Sequence, residues 1–138
     1  MQWNGERYGG FSEAAPWLPM SARFRKEITV EAQQKDKDSI LAFYKKLIAM
    51  RKTYPVIAEG GISFLETGTD MVLAYQRILG EQRLVVLCNL DGKRQTIQTS
   101  GQWKDFKVLL ENYEGREMVM EEGTFTMEPY GFMVLISK

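Results

Sequence analysis

The stretch MVLAYQRILGEQRLVVLCNLDGK (71–93) decides the fold. MVLAYQRI (71–78) and RLVVLCNL (83–90) both read as strands, because their apolar residues alternate or run short between turn signals, with LGEQ (79–82) between them. RLVVLCNL is apolar at successive positions, so both of its faces ask for cover and it belongs in the middle of a sheet. LDGK (90–93) then sets Asp91 and Gly92 between two strands, a pair that tolerates positive φ and predicts a two-residue hairpin.

The same pattern continues on either side. Strands are expected at 62–67, 94–99, 106–113, 117–120, 124–127 and 131–137, with turn chemistry at TGTD (67–70), SGQW (100–103) and EEGT (121–124). GFMVLIS (131–137) reads as a second central strand. Strands arriving about every ten residues with glycine turns predict an antiparallel sandwich or barrel.

Upstream of the strands, DKDSILAFYKKLIAMRKTY (36–54) predicts a helix. Asp36 suits the N-cap, and Asp38 puts negative charge where the helix dipole favours it. Arg51 and Lys52 fall in the last turn, and Pro55 forbids continuation. Ile40, Leu41, Phe43, Tyr44, Leu47, Ile48 and Met50 form a stripe wider than a simple surface helix needs, which predicts burial against two different surfaces with Phe43 and Tyr44 in the core. Residues 1–35 show no period. Gly5, Gly9, Gly10, Pro16 and Pro19 punctuate them, and Trp3, Tyr8, Phe11 and Trp17 give them an aromatic loop character.

The composition narrows the function. Lys plus Arg is 18 and Asp plus Glu is 18, a neutral balance that argues against nucleic acid or an anionic membrane as partner. No apolar run approaches a membrane span and no signal peptide is visible. Cys88 is the single cysteine, which excludes an internal disulfide and points to a reducing, cytoplasmic compartment. There is no histidine, which removes Ser-His-Asp and Cys-His catalysis and any His-ligated metal.

The search for chemistry finds no constellation. GERYGG (5–10) neither follows a strand nor opens a helix, so it is not a nucleotide fingerprint. Cys88 lies mid-strand among apolar neighbours and reads as a buried, inert thiol. Asp36, Asp38, Glu111, Glu114, Glu121 and Glu122 sit at a helix start or in turns, where a solvated face outweighs a catalytic carboxylate pair. ENYEGRE (111–117) lacks the oxygen density of a calcium site. No metal and no cofactor are expected. Loop aromatics either pin a loop or stack on a sugar ring, and Trp103 and Tyr113 are the candidates for a sugar platform under the second of these.

MQW (1–3), GGFS (9–12), PWLP (16–19), ITVEAQ (28–33), DKDSILAFYKKLIAMRK (36–52), LVVLCNL (84–90), LLENY (109–113) and PYGFMVL (129–135) occur in an order that resembles the C-terminal end of alpha-glucosidases of the alpha-amylase glycoside hydrolase family. The similarity is to the branch of oligo-1,6-glucosidases, dextran glucosidases, trehalose-6-phosphate hydrolases and sucrose isomerases. It implies a mainly β fold, an antiparallel, Greek-key-like β-sandwich of the domain C type, preceded by an irregular loop and one long helix from the end of a (β/α)₈ barrel. Residues 1–35 would be the loop after the eighth barrel strand, 36–54 the last barrel helix and 58–138 the C-terminal β domain. The catalytic aspartate and glutamate would lie on earlier strands, so the fragment is expected to be inactive and structural, with the missing N-terminal barrel as its partner and an oligosaccharide as the parent's substrate. Residues choosing among α-1,4, α-1,6 and phosphorylated disaccharide bonds would lie in that missing part.

Loops after the strands form the active face of such barrels, so the resemblance puts Gln2, Trp3 and Asn4 near the sugar cleft. The family often has Asp where Asn4 stands and Pro where Lys37 stands. Cut from its barrel, the fragment is expected to self-associate through the exposed stripe of its helix.

Overall fold

A computed structural model describes residues 2–18, 20, 28–99, 103, 105–113, 120–121 and 123–137. The chain divides into two compact units, residues 1–53 and 54–138.

The first unit is a loop followed by two helices, α1 (Val30–Lys35) and α2 (Ile40–Thr53). The helix read from the sequence as 36–54 therefore starts later, and the cap is a different residue. Asp36 is extended, at φ −102° and ψ 112°. Its carboxylate accepts from the Asp38 N–H at 2.9 Å, closing a local turn instead of opening the helix. The N-cap is Ser39, whose hydroxyl oxygen accepts from the Ala42 N–H at 3.2 Å. The same hydroxyl reaches back to the Gln33 carbonyl at 2.7 Å, and the Gln33 side-chain oxygen accepts from the Leu41 N–H at 3.0 Å. These bonds fix the corner between α1 and α2. Pro55 ends α2 as expected.

No residue of α2 is buried. Ile40, Tyr44 and Ile48, four residues apart on one face, are 72%, 60% and 54% exposed. Phe43 is also exposed, so the expectation that Phe43 and Tyr44 are core residues is corrected. Their stripe is a face without its own counterpart in this unit.

The second unit opens on a short helix, α3 (Val56–Glu59), and continues as strands β1 (Gly61–Phe64), β2 (Val72–Leu79), β3 (Gln82–Asn89), β4 (Gln95–Gln98), β5 (Lys107–Glu111), β6 (Met120–Glu121), β7 (Thr124–Met127) and β8 (Phe132–Ile136). One sheet has the order β1-β2-β3-β8-β5 and the other β4-β7-β6, with every pair antiparallel. β3 and β8 are adjacent inside the larger sheet, where their apolar runs place them. Ile97, Phe125 and Met127 of the small sheet pack with Val72, Ala74, Val85, Leu87, Met133 and Leu135 of the large one. This shared core makes the unit an antiparallel β-sandwich.

The tight hairpin is not where Asp91–Gly92 suggested. Leu79 pairs with Gln82, leaving Gly80 and Glu81 as a two-residue turn, and Gly80 has φ +58°. A glycine at the first central position is what a type II′ turn requires. Residues 90–94 instead carry the chain from β3 across to the other sheet. Buried Asn89 directs this crossing. Its amide nitrogen donates to the Lys93 carbonyl at 2.8 Å and to the Glu128 carbonyl at 2.7 Å, and its oxygen accepts from the Asp91 N–H at 3.0 Å. The expected strand at 117–120 lies mostly outside the described residues.

Candidate functional site

Gln2, Trp3 and Asn4 are tied down by their backbones. The N–H groups of Trp3 and Asn4 both donate to the Gly9 carbonyl, at 2.7 and 3.2 Å. Gly9 is buried with φ +66°, a left-handed position that a side chain would strain. The carbonyls of Gln2 and Trp3 accept from the N–H groups of Val30 and Glu31, at 3.0 and 2.9 Å. These are orphan donors of the first turn of α1, and the Thr29 hydroxyl adds a third cap by accepting from the Ala32 N–H at 3.1 Å. The tripeptide is thus a fixed rim on a helix start. The partner role of Gly9 was open to reading only as a Gly-Gly pair in a loop.

The side chains do different things. The Trp3 ring is half open, at 48% exposure. The Asn4 side-chain oxygen accepts from the Glu6 N–H at 3.1 Å, a turn that uses it locally. Gln2 borders a groove of about 490 Å³ whose other walls include Ile28, Val30, Ile40, Leu41 and Tyr44. No charged side chain lines it, so this groove is suited to burying apolar surface. Trp17 and Phe11 nearby in sequence are 90% and 62% exposed.

The sandwich corrects the sugar-platform candidates. Trp103 is only 5% exposed and packs inside the shared core, so its ring has no face to offer a ligand. Its indole nitrogen has no hydrogen-bond partner among the described residues. Tyr113 is partly open, and its hydroxyl donates to the Pro129 carbonyl at 2.7 Å. The two residues therefore do not form one surface of stacked rings.

Titratable groups offer no catalytic set. Among the described residues no cluster of three or more Cys, Asp or Glu side chains is arranged to hold a metal. Burial pushes the Cys88 thiol up, away from the reactive thiolate. Burial also raises the Tyr75 phenol, helped by Cys88 and opposed by Arg77. Glu31 is lowered by its hydrogen bond to Lys35, an exposed pair on α1. Glu114 and Glu122 lie outside the described residues. No described helix is long and apolar enough to cross a membrane.

Comparison with known proteins gives this arrangement its context. Residues 1–60 match the family described as alpha amylase, catalytic domain, and residues 72–134 match the alpha-amylase SusG C-terminal domain. The chain belongs to the alpha-amylase glycoside hydrolase family. It is 31% identical to an oligo-1,6-glucosidase of Halalkalibacterium halodurans, with all of this chain and 25% of that protein aligned. It is 33% identical to a trehalose-6-phosphate hydrolase of Bacillus subtilis, over 97% of this chain and 24% of the relative. The crystal structure of the Bacillus licheniformis trehalose-6-phosphate hydrolase superposes with a TM-score of 0.80 at 32% identity, covering 99% of this chain and 25% of that one. The chain thus spans about a quarter of the length of the relatives it matches.

Proposed function

We propose that this chain is the C-terminal portion of an alpha-glucosidase that hydrolyses α-glucosidic bonds in short oligosaccharides with retention. Residues 1–35 would be the loop after the eighth barrel strand, 36–54 the last barrel helix and 58–138 the C-terminal β domain. The observation that carries this reading is α2, a capped helix with no buried residue and an apolar face of Ile40, Tyr44 and Ile48 turned outward. A helix of that kind belongs to a larger body. The match of residues 1–60 to a catalytic domain supports the barrel as that body.

In this reading the two carboxylates of retaining chemistry, nucleophile and acid/base, sit outside the chain. The chain contributes packing, and Gln2, Trp3 and Asn4 contribute a rim to the sugar cleft. Trp3 is the best suited of the three, because its backbone is fixed on both sides while its ring stays half open. A cytoplasmic location is part of the proposal, supported by a single thiol and no disulfide.

The test is an assay of the purified chain with p-nitrophenyl α-glucoside. The expected rate equals the buffer rate. Turnover above it would contradict the assignment of both carboxylates to the missing part.

A further inference from the structure

The two outer faces of the sandwich differ in chemistry. On the small sheet, Thr96 and Gln98 point away from the core together with Thr126, and the Thr96 and Thr126 hydroxyls are 2.9 Å apart. That face is polar and suits water. On the large sheet the register sets Phe64 opposite Tyr75, Tyr75 opposite Val86 and Leu73 opposite Cys88. Those side chains share the face turned away from the core, and they are apolar. Phe64 is 75% and Leu73 40% exposed.

One end of this apolar face is already covered. Val56 of α3 is fully buried with Leu84 and Ile136, and Tyr54 and Ile57 pack beside them. The Arg77 guanidinium donates to the Gly60 carbonyl at 2.7 Å, holding the end of α3 against β2. Residues 54–60 fall within the stretch that matches the catalytic domain. The piece seated on the apolar face is therefore the tail of that domain. At four residues, α3 is too short to reach the rest.

We propose that the open part of this face, around Phe64, Leu73 and Tyr75, is the seat of the catalytic domain, which continues the contact that α3 begins. The inference rests on the reading that this chain is part of a longer glucosidase. A patch of this kind, apolar beside a polar rim, marks a contact surface. A domain joined through residue 60 meets it at a far higher effective concentration than a free partner does.

The test is thiol alkylation. Phe64→Cys, Leu73→Cys and Gln98→Cys are each made in a Cys88→Ser background, in the 138-residue chain and in the full-length protein, and labelling by a maleimide is read by peptide mass. Phe64 and Gln98 are both exposed, so these substitutions leave the core intact. Positions 64 and 73 should label about tenfold more slowly in the full-length protein than in the chain, and position 98 within about twofold. Equal labelling at 64 and 73 in both proteins overturns the proposal. So does protection at 98 alone, which would seat the domain on the polar sheet. Protection at 64 in the chain that disappears on dilution would make a second copy the occupant and also overturns it. If native cells hold no polypeptide longer than this chain, the glucosidase reading fails and this one falls with it. Open positions 64 and 73 in a longer protein remove the seat alone.

Discussion

Asn89 shows how much one buried side chain can decide. It bonds three backbone groups at the point where the chain leaves one sheet for the other. Asn89→Ala leaves those groups short of partners inside the fold and should cost roughly 2–3 kcal/mol. Urea unfolding measures it, and a loss under about 0.5 kcal/mol would mean that water replaces the amide freely. Asn89 was not legible in advance, because an asparagine before Asp-Gly reads as turn chemistry, and only the crossing of the chain distinguishes a crossover from a hairpin. Trp103 was misread for a related reason: an aromatic beside a glycine in a turn signal looks exposed, yet its ring fills the space between two sheets. Cys88 was legible, since apolar neighbours on both sides imply a desolvated thiol. Its raised pKa means the folded state prefers the neutral form. Stability tied to Cys88 is therefore complete below the usual thiol value of about 8.5 and declines as pH rises beyond it. Cys88→Ser should flatten this part of the stability–pH curve, and an unchanged slope above that pH would assign the decline to other groups.

At the scale of elements, α2 separates what periodicity can say from what it cannot. The apolar stripe was plain in the sequence, and the helix is there. Its burial was not legible, because a stripe records that a partner was selected for and not that the partner is in the same chain. The cap was misassigned for a local reason: Asp36 and Ser39 both suit an N-cap, and Asp36 satisfies its own turn first. Ser39→Ala should therefore lower stability of the helical unit by about 1 kcal/mol, while Asp36→Ala should cost clearly less. Thermal melts followed by circular dichroism compare the two, and a reversed order would restore Asp36 as the cap. Ile48→Ser should change the melting of the isolated chain by no more than about 0.5 kcal/mol, because the side chain is already exposed. The same change should reduce any concentration-dependent association seen by light scattering.

Across the whole molecule, the β-sandwich was readable because each strand obeys its own local pattern, and β3 and β8 announce central positions by being apolar on both faces. That same double apolarity held a second message. The core face of β3 finds the small sheet, while its outer face, with Leu84 and Val86, finds only α3. The residues that would make the cleft were only partly legible. Gln2, Trp3 and Asn4 were picked out by resemblance, whereas the frame that fixes them, Gly9 and the first turn of α1, depends on contacts between positions that no period links. In the full-length protein, Trp3→Ala should raise KM for an oligosaccharide about tenfold with kcat little changed, as expected for a binding contact away from the reacting atoms. An unchanged KM would leave Trp3 as a loop anchor.

The central claim is that this sequence is the end of a glucosidase about four times its length. The most direct measurement is the mass of the native polypeptide that carries it, read by immunoblot of cells that hold the gene and confirmed by peptide mass spectrometry. Since the chain is 15.9 kDa and about a quarter of its relatives, a single species of about four times that mass is predicted. A native species of 15.9 kDa would contradict the account.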